Sequence, residues 1–545
     1  MSLLPLLLKT AGFRCGGRNR KSSRSTRWSK SAQTIFASWA VLGQLGGMGL
    51  LVAEVIEPQP AKADPPMAGP DQGSPSASGS FSFAIGAATA GSYSNAIAIG
   101  SAANAANDRA TAIGHGADAI GASSVALGDN ANAAVSNSVA IGRSTSSTSD
   151  GDVSIGSGSQ ASGGTSQAIG SSAKASGTAT TAIGRIANAA GNSSVAIGNN
   201  ANTISRDAVA IGLSSHASGI QSIAMGRLSD ADGASAIAIG PSASGAAENA
   251  VAMGSSARAL STKSVAIGAG SASSNTQSVA VGGDAKANGD KSISIGSEAN
   301  SQANRAIAIG ERANSQNTDS IAIGYLSKAT GSDSIALGRV SSATGSDAQA
   351  LGYQANAAGN YSQASGYQAN ASGLNSIATG TNAIASGNSS IATGTNATAA
   401  GNYSQASGYQ ANAASDNALA IGTNAVAKES SIALGLGAKA DLFQSIALGT
   451  SALSNSGIST SVGAYAKALN QFAISVGYQA TAEGFQSVAL GSGANATNFL
   501  STSVGSYSNA SGDRSIALGV SATASGDYSQ ALGYRATASG DYSQA

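Results

Sequence analysis

The sequence predicts an all-β protein, a parallel β-solenoid of about 33 coils with fourteen residues each. Glycine returns every fourteen residues from Gly86 to Gly422, and after one thirteen-residue step the period continues from Gly435 to Gly533. A short apolar segment precedes each of these glycines. Proline, which interrupts the hydrogen bonds of a sheet, occurs beyond residue 80 only at Pro241. A fixed short period is typical of a solenoid, whose coils are stable only when stacked.

Each coil is predicted to contain two short strands and two bends. Positions are numbered here from the repeat glycine, which is position 0. Positions −3 and −1 are mostly Ile, Val or Leu and −2 is always Ala or Ser, as in Val195-Ala196-Ile197 before Gly198. This alternation indicates a strand, and small residues at +3 and +5 indicate a second one. Glycine at 0, and Gly or Asn near +7 and +8, are expected to supply the bends through positive φ.

Two arrangements of the strand faces fit this pattern, and both require a second copy of the chain. A two-strand roll has too little core to be stable alone. In the preferred arrangement, −3 and −1 fill the roll, and the small −2 column packs against another chain. In the alternative, −2 points into the roll, and the apolar −3 and −1 columns make the subunit contact. The preferred arrangement assigns subunit packing to Ala98, Ala140, Ala196 and Ala266.

The first 80 residues are predicted to be separate from the repeats, which occupy 81–545. Residues 1–63 have the basic, apolar, small-x-small order of an extended signal peptide, cleaved between Ala63 and Asp64. A permanent membrane anchor is an alternative, because the apolar stretch is nearly long enough to span a bilayer. Binding of nucleic acid by the basic run is a third hypothesis. Residues 64–80, rich in Pro, Gly and Ser, are predicted to be a linker.

The composition argues against an enzyme and against a metal or cofactor site. Charged residues make up 10% of the chain and aromatic residues 4%, both low for a soluble enzyme. No intramolecular disulfide can form, because Cys15 is the single cysteine. His115 and His216 stand at different phases of the repeat, and no cluster of histidine or cysteine has metal-ligand spacing. Cleavage after Ala63 would leave 19 basic and 25 acidic residues, which makes nucleic acid a poor partner.

The repeat resembles the YadA-like head repeat of trimeric autotransporter adhesins. The segment Ser194-Val195-Ala196-Ile197-Gly198-Asn199-Asn200-Ala201 shows the resemblance, which covers about 81–545. It implies a left-handed parallel β-roll, a homotrimer and an exported adhesin at the bacterial outer membrane. Attachment to host matrix or cells, self-aggregation into biofilm and a role in virulence are further implications. The chain stops two residues before the next expected glycine and lacks the family's stalk and anchor, so we expect a fragment.

Two stretches are candidate ligand-binding sites. A family motif linked to collagen binding is matched over six residues, with Thr145 in place of its final Ser: Asn137, Ser138, Val139, Ala140, Ile141 and Gly142. The alternative is an ordinary structural coil. Tyr353 and Tyr367 share a phase in neighbouring coils and are predicted to stack, near a stretch that is either a binding surface or a weak point. An ice- or mineral-binding solenoid is the alternative function, although threonine is scattered rather than aligned.

Overall fold

A computed structural model describes residues 75–545, all of which belong to the second of two compact units of the chain. The proposed cleavage site at Ala63 and Asp64 lies outside the described residues. The described part contains 67 short strands and forms the predicted all-β solenoid. The first strand, Ser76–Ala77, lies within the stretch predicted to be a linker. No helix in residues 75–545 is long and apolar enough to cross a membrane.

The strands form two parallel sheets, one on each side of the roll. The three-residue sheet takes positions −3 to −1 of each coil, from Phe83–Ile85 to Gln530–Leu532. The two-residue sheet takes positions +4 and +5, from Asn104–Ala105 to Thr537–Ala538. Two earlier strands of that sheet, Ser76–Ala77 and Thr89–Ala90, precede this regular placement. Each strand pairs with its equivalent one coil later, so that identical repeat positions form columns along the stack.

Two tight turns connect the sheets in each coil. The N–H of Ala103 donates to the carbonyl of Gly100, and the N–H of Ala110 donates to that of Asn107. Of the two central residues of each turn, only the second has a positive φ, 56° at Ala102 and 59° at Arg109, which is the signature of a type II turn. Positive φ therefore occurs at 0, +2 and +9. The prediction was right for the glycine at 0 and wrong for +7 and +8.

Glycine at position 0 is required by both its conformation and its surroundings. Gly198 has a φ of 139°, and a Cβ atom there would lie 2.3 Å from the carbonyl oxygen of Gly212. Glycine at +7 is favoured by crowding alone, since a Cβ at Gly191 would lie 1.9 Å from the carbonyl oxygen of Ser205. The predicted bends are thus in the right places, although only the first one depends on a glycine with positive φ.

The single thirteen-residue coil shortens one turn and leaves both sheets intact. Its second turn runs from Lys428 to Ser431, whose N–H donates to the Lys428 carbonyl at 3.0 Å. Both central residues are left-handed, with φ of 46° at Glu429 and 61° at Ser430, as in a type I′ turn. Leu419 still pairs with Ile432 in the next coil. The deletion is therefore absorbed by a change of turn type.

The core between the sheets consists almost entirely of small side chains. Positions −4, −2, +3 and +5 point inward, as Ala96, Ala98, Ala103 and Ala105 show with no exposed surface. The largest fully buried side chains of the described residues are threonines and one aspartate, Asp152. Many buried serines are satisfied locally; the hydroxyl of Ser222, for example, donates to the carbonyl of Gly219 at 2.7 Å. Five buried serine hydroxyls have no partner among the described residues: Ser124, Ser362, Ser376, Ser515 and Ser529.

The preferred assignment of the strand faces was wrong. The predicted subunit-packing residues of the −2 column are completely enclosed within one chain, so they cannot contact another: Ala98, Ala140, Ala196 and Ala266. The physical reason is the narrowness of the roll. Short turns hold the two sheets so close together that little besides Ala, Ser and Thr fits between them. The bulky −3 and −1 side chains therefore point outward, as in the alternative arrangement.

Candidate binding surfaces

The outer side of the three-residue sheet is an apolar face formed by positions −3 and −1. Its side chains stay partly exposed in a single chain: Ile267 is 38% exposed, Met225 39% and Leu337 47%. The columns continue along all 33 three-residue strands. Monomeric soluble proteins seldom expose contiguous apolar patches larger than about 300–600 Å². A surface of this extent is typical of one that is covered by another molecule.

Four adjacent coils interrupt the apolar face with polar residues, from Gly366 to Gly408. Their −1 residues are Ser or Thr, and two of their −3 residues are Gln: Gln363, Ser365, Thr379, Thr393, Gln405 and Ser407. All six side chains lie on the outside of the sheet. The two glutamines and the two threonines are exposed, and the two serines are half-buried. The roll interior is consequently as well packed here as elsewhere. The interruption changes the character of the outer surface and removes no side chain from the core.

The outer side of the two-residue sheet is a polar face formed by positions +4 and +6. Asparagine amides form ladders along the +4 column, where Nδ2 of Asn188 donates to Oδ1 of Asn202 at 2.7 Å. Asn356 and Asn370 repeat this contact at 3.0 Å. Exposed cations stand at the same position in other coils, including Lys174, Arg258, Lys328 and Lys467. This composition is that of a solvated surface.

Tyr353 and Tyr367 stack as predicted, on the first turn at position +1. Their ring centroids are 5.2 Å apart and the ring planes differ by 13°. The guanidinium of Arg339 extends the stack, lying 5.4 Å from the ring of Tyr325 and 5.5 Å from that of Tyr353. Four coils thus share one partly exposed ladder of aromatic and cationic side chains. Tyr325 and Arg339 were not predicted to join the ladder, although both stand at the same phase as the two tyrosines.

A second aromatic ladder, also missed, follows the second turn toward the end of the chain. The rings of Phe485 and Phe499 stack at 5.7 Å, and those of Tyr528 and Tyr542 at 4.9 Å. Arg514 lies between these pairs, 5.4 Å from the Phe499 ring and 5.1 Å from the Tyr528 ring. These side chains stand at +8 or +9 of successive coils, and alignment at the fourteen-residue period would have revealed them.

The predicted collagen-type motif is spread over three different environments. Asn137 is exposed on the second turn, where its Nδ2 donates to Oδ1 of Asp150 at 3.1 Å. Ser138 and Ala140 are inside the roll, while Val139 and Ile141 lie on the apolar face. Gly142 is the repeat glycine, with a φ of 134°. The motif therefore does not form one continuous surface, and its role in ligand binding stays a prediction.

Both histidines are paired with aspartate from the next coil. Nδ1 of His115 lies 3.1 Å from Oδ1 of Asp129 on the first turn. His216, on the polar face, lies near Asp230 and Asp232, and one nitrogen or oxygen atom of each residue falls within 4.8 Å of the others. These residues show no metal-ligand spacing in the sequence because the histidine and the aspartates lie one coil apart. A groove of about 310 Å³ lies beside His216, lined in part by Asn188, Asn202 and Ser214.

Comparison with protein families identifies the repeat. A model described as the YadA head domain repeat (2 copies) matches residues 94–117, 119–145, 165–185, 175–201, 205–229, 246–271, 273–299, 288–313, 301–327, 315–341, 343–362, 364–383, 378–404, 406–425, 427–452, 468–494, 482–508, 496–522, 510–533 and 524–543. Among curated protein sequences, none matches the chain. The matches cover most of the chain, and the family is of the adhesin type rather than an enzyme family. The chain belongs to the YadA head domain repeat family.

Proposed function

We propose that this chain is the head of a homotrimeric bacterial surface adhesin, which attaches to host matrix or cells and to other copies of itself. The observation that carries the proposal is the apolar face, which a single chain leaves partly exposed along most of the stack of coils. Membership of the family supports three as the number of chains. An export signal at residues 1–63 and a location at the outer membrane belong to the same proposal.

Assembly through the apolar face supplies the hydrophobic stabilisation that the roll itself lacks. The interior buries mainly alanine and serine, which contribute little apolar area per residue. Each fully buried Val, Ile or Leu contributes roughly 1.5–3 kcal/mol, and most coils present two such side chains. The gain from association therefore increases with the number of stacked coils. The polar face, with its lysines and asparagines, is left to contact solvent.

Attachment is assigned to the surfaces that remain outside this contact. Val139 and Ile141 lie on the apolar face, so trimer assembly would cover them and leave Asn137 as the accessible part of its motif. The ladder of Tyr353 and Tyr367 lies on the first turn, outside the apolar face; Tyr367 is exposed and Tyr353 is half-buried in a single chain. Tyrosine and arginine are enriched in recognition surfaces. Repetition of weak contacts on one particle adds avidity.

The assembly is tested by placing charges on the apolar face. Ile309 and Ile323 occupy position −1 of adjacent coils, and a double variant, Ile309→Asp with Ile323→Asp, puts two carboxylates into the proposed contact. Asn314→Asp is the matched control on the polar face, where aspartate occurs naturally at Asp118. Native mass measurement and thermal unfolding of the full chain are the readouts.

We expect the double variant to dissociate or to lose stability, because a carboxylate buried without a partner costs several kcal/mol. The control is expected to remain trimeric and to melt like the wild type. Retention of the wild-type mass and melting temperature by the double variant would show that the apolar face is not the subunit contact.

Attachment is tested separately with the tyrosine ladder. The double variant Tyr353→Ala with Tyr367→Ala is compared with Thr381→Ala with Thr395→Ala, which changes the same +1 column in nearby coils. Binding of the full chain to collagen-coated and cell-coated surfaces is measured. A loss confined to the tyrosine variant supports this site, whereas equal binding by both variants would move attachment to another surface.

A further inference from the structure

The polar face brings one imidazole and two carboxylates together on adjacent coils. His216 stands at +4 after Gly212, and Asp230 and Asp232 stand at +4 and +6 after Gly226. The strand register pairs His216 directly with Asp230. Nε2 of His216 lies 3.9 Å from Oδ1 of Asp232, and one ligand atom from each of the three residues lies within 4.8 Å of the other two.

The cluster contains an unsatisfied oxygen and an excess of negative charge. Oδ1 of Asp230 is buried and has no hydrogen-bond partner among the described residues. A buried polar atom without a partner is costly, and two adjacent carboxylates repel each other. A cation between them would relieve both conditions.

The surroundings orient these side chains as an outer shell orients metal ligands. Nδ1 of His216 lies 2.9 Å from the amide of Asn202, and Asn202 in turn bonds Asn188. Amide oxygen and nitrogen are exchanged by a flip, so the ladder can accept the Nδ1 proton and leave the Nε2 lone pair facing the aspartates. The hydroxyl of Ser218 donates to Oδ1 of Asp232. Metal-bound histidines usually donate their other ring N–H to such a partner.

We propose that His216, Asp230 and Asp232 bind a divalent transition-metal ion, with Zn²⁺ as the best match, and so link two coils of the roll. One imidazole with two carboxylates is a donor set that suits zinc, whereas calcium requires six to eight oxygen ligands. Bonds of about 2.0–2.1 Å in a tetrahedron place ligand atoms roughly 3.3 Å apart. Small rotations of these partly exposed side chains bring the ligand atoms from their present separations of up to 4.8 Å to the distance that zinc requires. Water supplies the fourth ligand.

The second histidine provides an internal comparison. His115 contacts Asp129 in the same coil-to-coil manner, with 3.1 Å between Nδ1 and Oδ1. Within residues 75–545, however, no third ligating side chain joins this pair to form a cluster. A site that depends on three ligands should therefore form at His216 and not at His115.

The experiment is calorimetric titration of the full chain with Zn²⁺ alone, after removal of metals with a chelator. We compare the wild type with His216→Asn, Asp230→Asn and the control His115→Asn. Asparagine stands at +4 in many coils, including Asn188 and Asn300, so the first two variants retain a residue that the sheet already accommodates. Circular dichroism confirms that each variant keeps its β structure.

The wild type and His115→Asn are expected to share one zinc site per chain. That site should weaken in His216→Asn and Asp230→Asn by at least the roughly 10- to 100-fold that loss of an outer-shell partner costs. Zinc should also slow amide exchange at Ala217 and Ala231 in the wild type and not in His216→Asn. Equal binding by the wild type and His216→Asn, or an equal loss in His115→Asn, would overturn the proposal. Neither result depends on the adhesive function.

Discussion

Ala196 lies in register with Ala210 on the neighbouring coil, and neither side chain exposes any surface. This pair represents the whole −2 column, which forms one wall of the interior. Facing it, positions +3 and +5 are equally small and equally buried, as Ala201 and Thr203 show. The space between the walls therefore has no room for a larger side chain.

Replacement of Ala196 by Leu is expected to destabilise the roll by about 1–3 kcal/mol or more, because overpacking forces side chains and backbone apart. Coils interact mainly with their neighbours, so the loss should be local. Hydrogen exchange around Gly198 and thermal unfolding measure it. Asn199→Leu, at an exposed position, is the control and should stay within roughly 0.5 kcal/mol of wild type. Equal stability of the two variants would refute the assignment of −2 to the interior.

Gly198→Ala is expected to be costly for two reasons. Its φ of 139° is strained for any other residue, and the new Cβ would lie 2.3 Å from the Gly212 carbonyl oxygen. Strain of this kind costs about 1–3 kcal/mol before any steric clash. Gly158→Ala is the control, since the φ of Gly158 is 69° and the atom nearest to a new Cβ would be 3.6 Å away. We expect it to cost about 1–2 kcal/mol, without the added cost of a clash. Chemical unfolding measures the stability of the two variants. A larger loss of stability in Gly158→Ala than in Gly198→Ala would contradict the prediction.

Substitutions in the short turn of the thirteen-residue coil are expected to raise the stability of the protein. Glu429 and Ser430 both have positive φ, and type I′ turns favour Asn-Gly at these places. The double change Glu429→Asn with Ser430→Gly should raise stability by about 1 kcal/mol, because a left-handed residue other than glycine costs that much. Ser193→Gly, in a turn with one left-handed residue, should gain less. The melting temperatures of both variants are compared with that of the wild type. A lower melting temperature of the double variant would argue against the type I′ assignment.

The ion pair between Arg305 and Asp319 is expected to give a small, pH-dependent stabilisation. Arg305 donates from Nε and Nη2 to both carboxylate oxygens, and these bonds lower the pKa of Asp319 below 3.8. The stabilisation is therefore present above pH 3.8 and is lost as the pH falls through the folded-state pKa. Arg305→Gln should melt below wild type at pH 7, and the difference should shrink in acid and in high salt.

Arg185→Gln is the control for this pH dependence, since Arg185 forms no ion pair with any of residues 75–545. Its difference from wild type should not vary with pH. A difference for Arg305→Gln that persists unchanged at pH 2 would mean that the side chain acts through packing rather than through its charge.

Export is expected to remove residues 1–63. The basic run, the apolar stretch and the small residues before Asp64 have the order of a cleaved signal. N-terminal sequencing of protein collected from the cell surface or medium should begin at or near Asp64. Exported protein that still carries Met1 would favour the membrane-anchor alternative.

Several features of the site were predictable from the period alone. Equal spacing of fourteen places the same repeat position of every coil in one column, so the stacking of Tyr353 on Tyr367 followed directly. The same rule would have predicted the cluster around His216, since His216 and Asp230 occupy the same repeat position one coil apart. That relationship was missed because metal-ligand spacing was sought within a single element.

By itself, the sequence determined the coil: its length, its two short strands, its bends and the parity that separates −3 and −1 from −2. Parity states that Ala196 and Ile197 lie on opposite faces, yet it contains no information on which face is inside. Only the tertiary structure decided this, because the distance between the sheets depends on how the two type II turns close the coil. At that distance alanine fits and isoleucine does not, so the apolar columns were left on the outside.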